Sequence, residues 1–90
     1  MLKVKDIVSY FEKICPFSLC EEWDNTGLLI GDENAGVTRI LVCLDVDEFV
    51  AQEAADKKCE LIVSHHPVIF HPLKKICANS CEEILIKNGI

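Results

Sequence analysis

Thr38-Arg39-Ile40-Leu41-Val42-Cys43-Leu44-Asp45-Val46 and Glu60-Leu61-Ile62-Val63-Ser64, with a helix-patterned stretch between them, decide the fold of this 90-residue chain. The first run is almost continuously apolar in its middle. That pattern predicts a strand covered on both faces, as in parallel sheets. Asp47 stands where a helix N-cap belongs, since its carboxylate can accept an otherwise unpaired first-turn N–H. The helix is expected from about Glu48 to Lys58, with Val50, Ala51, Ala54 and Ala55 facing inward. Lys57 and Lys58 suit the negative end of its dipole. Strand–helix–strand is a βαβ unit, which makes the two strands parallel and the crossover right-handed. The fold class is therefore α/β: parallel strands flanked by helices.

On the N-terminal side, Val4, Ile7, Val8, Phe11 and Ile14 recur at three- and four-residue steps, so residues 3–15 read as an amphipathic helix stopped by Pro16. Residues 17–27 form a connector ending in the turn sequence Asp24-Asn25-Thr26-Gly27. Leu28-Leu29-Ile30-Gly31 reads as a short strand, and residues 32–36 as a loop. On the C-terminal side, Pro67 to Leu73 is a loop bracketed by prolines. Ser80 with Glu83 forms a capping-box pattern for a helix that turns Cys81, Ile84 and Leu85 inward and ends at Asn88-Gly89. Ile90 reads as the first residue of a further strand. No repeat or linker interrupts residues 1–90, which read as a single domain.

Half of the residues are apolar and 27% are charged, an ordinary balance for a globular domain. The net charge of −6 opposes non-specific binding to nucleic acid or to anionic membranes, and the paired lysines 57–58 and 74–75 make no basic track. No stretch approaches a membrane span, and the N-terminus lacks the apolar core of a signal peptide. A cytoplasmic location is expected, with the six cysteines reduced. Cys77 and Cys81 are spaced to share a helix face, where packing is favoured over metal binding.

The chemistry concentrates where the strands end. Asp45 closes the first strand and His65-His66 closes the second, on the same edge of a parallel sheet. Imidazole is the commonest transition-metal ligand. Neighbouring residues of an extended chain point to opposite sides, so the pair is expected to serve two ions, one each, at a two-metal site. A second reading stands beside this one: rings capped only by backbone carbonyls and water. Asp45 reads as a helix-cap or turn residue, or as a group orienting a ligand. His71 reads as a surface residue or a hydrogen-bond partner of the ligands, ahead of a general acid or a ligand itself. Trp23-Asp24-Asn25 either lines a pocket or anchors its own loop, with Asp24 and Asn25 bonding their own turn. Glu21 and Glu22 read as a solvated charge pair. No phosphate-binding glycine loop and no Ser/His/Asp order is present.

Three blocks resemble one family. They are Glu21-Glu22-Trp23-Asp24-Asn25-Thr26-Gly27-Leu28-Leu29-Ile30-Gly31, the strand ending in Leu44-Asp45, and Ile62-Val63-Ser64-His65-His66-Pro67-Val68-Ile69-Phe70 followed by Pro72-Leu73-Lys74. In order and spacing they resemble the NGG-one-interacting factor three (NIF-three-like) family, also labelled GTP cyclohydrolase I type 2 homologue. The resemblance implies a dinuclear centre of divalent metal ions (zinc, iron or manganese), with His65 and His66 as ligands, in ring-like homo-oligomers that are hexamers. It implies a metal-dependent hydrolase, attacking the imidazole carbon of guanine if the substrate is GTP. The family's further ligands are an aspartate in an H-T-N-L-D segment and a histidine and glutamate near the C-terminus. None of them has a counterpart in residues 1–90. The chain is accordingly expected to be the N-terminal portion of a larger NIF-three-like fold and inactive by itself. The alternative is a non-catalytic interaction or assembly module with a protein partner.

Overall fold

Two short parallel strands and the helix joining them form the centre of the structure, a computed structural model that describes residues 1–21 and 24–90. In order, the elements are α1 (Val4–Ile14), a 3-10 turn (Phe17–Leu19), β1 (Ile40–Cys43), α2 (Glu48–Asp56), β2 (Leu61–Ser64) and α3 (Cys81–Lys87). The strands pair in parallel, Ile40 opposite Leu61 through Cys43 opposite Ser64. The sequence expectation of an α/β fold with a parallel βαβ unit thus matches the observed architecture.

Local chemistry explains the helix ends. Asp47 Oδ1 accepts the Val50 N–H at 2.8 Å, as its position before α2 predicts. At the other end of α2 the guanidinium of Arg39 donates to the Lys57 carbonyl at 2.8 Å. The chain turns there through Lys58, whose φ of 57° is left-handed, so Lys57 and Lys58 lie beyond the helix rather than in its last turn. Ser80 Oγ accepts the Glu83 N–H at 3.2 Å and starts α3. Gly89 ends it with φ at 67°, letting the Ile90 N–H fold back to the Leu85 carbonyl at 2.9 Å. The first amides of α1 are satisfied from outside: Val4 and Lys5 donate to the carbonyls of Ala35 and Glu33.

The core is divided by the sheet. On one side α2 and α3 pack Ala51, Ala54, Ile84, Leu85 and Ile90 against Leu41 and Ile62. On the other, α1 sets Val4, Ile7 and Val8 against Val37, Leu61 and Val63. Ala51 and Ala54 are fully buried where α2 meets this cluster. Cys81 sits at the start of α3 beside the Val46 carbonyl, and burial pushes its thiol up to about 11.

Three expectations fail. β1 is not covered on both faces: α1 lies over the β2 half of its sheet face and leaves Val42 76% exposed and Leu44 67% exposed. Burial along α1 fades in the same direction, so Ile14 at the end of the stripe is exposed. Residues 28–31 form no strand. Gly27 and Gly31, at φ of 120° and 119°, bend the chain on both sides of Leu28–Ile30, and the segment uses Ile30 to pack on the core. Ile90 packs into the core cluster of α2 and α3.

Candidate functional site

β1 and β2 deliver their last residues to one rim. Pairing continues past the strands: the N–H groups of His65 and His66 donate to the carbonyls of Cys43 and Leu44 at 3.1 and 2.9 Å. In a regular parallel ladder consecutive amides alternate between neighbours. Here both turn toward β1, so the backbone rolls at this point. Ser64 Oγ locks the roll by donating to the His66 carbonyl at 2.7 Å.

The consequence is a different disposition of the two rings from the one an extended chain gives. They do not point apart. Their centroids are 4.8 Å apart with the planes tilted by 56°. Both residues are exposed. His66 Nδ1 lies 2.7 Å from Asp45 Oδ1, the partner delivered by the end of β1. Against an ionised carboxylate Nδ1 is the donor, which in the neutral ring leaves the Nε2 lone pair free for a ligand. This is the arrangement by which carboxylates orient histidine ligands in metal sites. Of the two sequence readings of Asp45, the orienting one describes its contact with His66, while Asp47 takes the helix cap.

The other sequence candidates are distributed around this rim. Asp24 does bond its own turn, accepting the Asn25 N–H at 2.8 Å. Asn25 does not: its Nδ2 donates to the Ile69 carbonyl at 2.7 Å, joining the connector to the loop that follows the histidines. Sequence spacing carries no sign of this bond, because its partners are 44 residues apart. Trp23 and Glu22 lie outside the described residues. His71 packs edge-on against Phe70, with ring centroids 4.8 Å apart. Cys77 is exposed and Cys81 half-buried, and both are free thiols.

An open trough of about 980 Å³ runs along the uncovered part of β1, with Phe11 and Val42 on its apolar walls and Asp24, Asn25 and His65 among its polar lining. The donor chemistry of the rim fits a transition metal, since two accessible imidazoles, one held by a carboxylate, are ligands of the right kind. The donor number is short: among the described residues no three His, Cys, Asp or Glu side chains are grouped to hold an ion.

Fold and rim together define an α/β protein whose parallel strand ends present an aspartate-supported histidine pair. The chain belongs to the Duf34/NIF3 (NGG1p interacting factor 3) family, whose model matches residues 2–90. It is 44% identical over 75 residues to the GTP cyclohydrolase 1 type 2 homolog of Clostridium acetobutylicum, a match covering 83% of this chain and 28% of the relative. It is 34% identical over 89 residues to the homolog of the same name from Campylobacter jejuni, covering 99% of this chain and 36% of the relative. Among solved structures it superposes on Staphylococcus aureus protein SA1388 with a TM-score of 0.93 at 40% identity, over 99% of this chain and 30% of that one. It matches reduced HcgD from Methanocaldococcus jannaschii with a TM-score of 0.90 at 27% identity, over 99% of this chain and 37% of that one. These 90 residues thus span about a quarter to a third of the relatives they match. No helix among the described residues is long and apolar enough to cross a membrane.

Proposed function

We propose that the chain is the N-terminal part of a metal-dependent hydrolase of the GTP cyclohydrolase 1 type 2 homolog kind, acting in the cytoplasm as a ring-like homo-oligomer. His65 and His66 would each give one imidazole to a pair of divalent cations, with zinc, iron and manganese all compatible with imidazole and carboxylate donors. Bound cations of this type lower the pKa of water enough to supply hydroxide near neutral pH. The protein's own contribution is positional. Asp45 holds His66 with its outer nitrogen free, and the turn fixed by Ser64 keeps His65 beside it. His65 borders the trough, so a substrate lying there would approach that imidazole first.

The observation that carries this reading is the exposed ring pair at 4.8 Å with Asp45 on one of its members. A catalytic zinc site takes three protein ligands. Two imidazoles bind more weakly, and a family-length protein would have to supply the remaining donors. The 90-residue chain by itself is expected to be inactive. Metal content after purification and loading with Zn²⁺, compared with the His65→Ala/His66→Ala double variant, tests the assignment. Equal metal in the two refutes it.

A second reading, an assembly module, is favoured by the exposed Ile40, Val42 and Leu44 on one sheet face. Oligomers in wild type that persist unchanged in the histidine double variant, with no metal in either, would support that reading over the first.

A further inference from the structure

The Asp24-Asn25-Thr26-Gly27 turn has no role in the metal reading above, yet it reaches the histidine rim. Asn25 Nδ2 donates to the carbonyl of Ile69, three residues beyond His66. The loop from Pro67 to Leu73 contains two residues without an N–H, Pro67 and Pro72, and so has fewer amides than usual with which to anchor itself. Val68 gives it one fixed point by packing against the α2–α3 core. The amide of Asn25 gives it another, one residue further on. Asn25 is itself held: its N–H is bonded to Asp24 Oδ1, and the Asp24 N–H is bonded to the Glu21 carbonyl at 3.0 Å.

We propose that Asn25 is a positioning residue for the histidine pair. By fixing the carbonyl of Ile69 it sets the path of the chain leaving His66, and with it the relative orientation of the two imidazoles. This rests on the metal reading for its purpose but not for its geometry. The bond Asn25 makes is a donor's bond. An aspartate of the same shape presents only acceptors when ionised, so Asn25→Asp sets a carboxylate against a carbonyl oxygen. Asn25→Ala removes the bond without adding charge. Asn25→Gln keeps the amide on a stem one methylene longer.

The test uses long-range ¹H–¹⁵N spectra of the imidazoles at neutral pH in metal-free protein, followed by Zn²⁺ titration against a chromophoric chelator. Asn25→Asp and Asn25→Ala are expected to move the ring resonances of His65 and His66 and to weaken Zn²⁺ binding several-fold. Asn25→Gln is expected to fall between them and wild type. Thr26→Ala, in the same turn, serves as the control and is expected to leave the rings unmoved. Unchanged ring resonances in both Asn25→Asp and Asn25→Ala overturn the proposal, as does an equal shift in Thr26→Ala. Should Asn25→Asp fail to fold, Asn25→Ala and Asn25→Gln decide the outcome by themselves. If wild type binds no Zn²⁺ while the rings still respond to Asn25, the metal reading fails and the positioning role stands.

Discussion

Replacing Asp45 by asparagine separates what the carboxylate does by its charge from what it does by its shape. The 2.7 Å contact to His66 Nδ1 survives in Asp45→Asn, because an amide oxygen can accept the same proton. Only the charge is lost. A hydrogen bond to a charged group contributes a net of about 1.5–3 kcal/mol and a neutral one about 0.5–1.5 kcal/mol. The difference is about 1 kcal/mol, or roughly a fivefold change in an equilibrium constant. The side chains of Asp45 and His66 are 74% and 58% exposed, so water and salt screen part of this. The expected loss of Zn²⁺ affinity is therefore about two- to fivefold for Asp45→Asn. For Asp45→Ala, which also frees the ring to rotate, it is about tenfold, the lower end of the range for removing such supporting carboxylates. Competition against a chromophoric chelator at low and high salt measures both, and the gap between Asp45→Asn and wild type should narrow as salt rises. Equal affinities of wild type, Asp45→Asn and Asp45→Ala at low salt would refute the reasoning, since Asp45 would then contribute nothing to the ligand beside it.

The uncovered face of β1 is expected to drive association of the 90-residue chain. Val42→Lys/Leu44→Ser should lower the sedimenting mass without lowering Tm, because both side chains are largely exposed. Leu85→Ala should destabilise by about 2–5 kcal/mol in chemical denaturation, because Leu85 is buried between α3 and the sheet, and a loss under about 1 kcal/mol would mean that the cluster does not form as described. Glu60 accepts the Thr38 and Arg39 amides and the Thr38 hydroxyl, and these bonds hold its carboxyl below the usual carboxylate range. A depressed folded-state pKa stabilises above the unfolded value and is lost as pH falls through the folded one. Glu60→Gln should therefore be less stable than wild type at neutral pH, with the gap closing toward pH 3 in denaturation curves.

How much of this was legible beforehand depended on whether the cause was local. The stripe of α1 as far as Phe11, the Asp47 cap, the Ser80 cap and the Gly89 stop are read within a few residues, and each appears where its chemistry places it. The βαβ order follows from the same short-range signals. Leu28-Leu29-Ile30 carries a strand's composition, but a strand also needs a neighbour in register, and two bent glycines withhold the length for one. The apolar run of β1 announces burial without saying by what. The described fold covers one of its faces with α2 and α3 and leaves much of the other open. In the sequence Glu60 only opens the second strand run, and the structure alone shows its carboxylate holding the start of the opposite strand.

By itself the sequence placed two histidines and an aspartate on the same edge of a parallel sheet, within reach of one another, because strand order and strand length put them there. Only the tertiary structure decided how they meet. Consecutive amides of His65 and His66 turn to the same strand, a roll that no periodicity encodes, and it brings together rings that an extended chain would hold apart. Asn25 was visible as a turn or pocket-lining residue, not as a partner of the loop that follows the histidines. Its reach across 44 positions to Ile69 exists because folding brings two loops side by side, and a hydrogen bond depends on distance in space, not on separation along the chain.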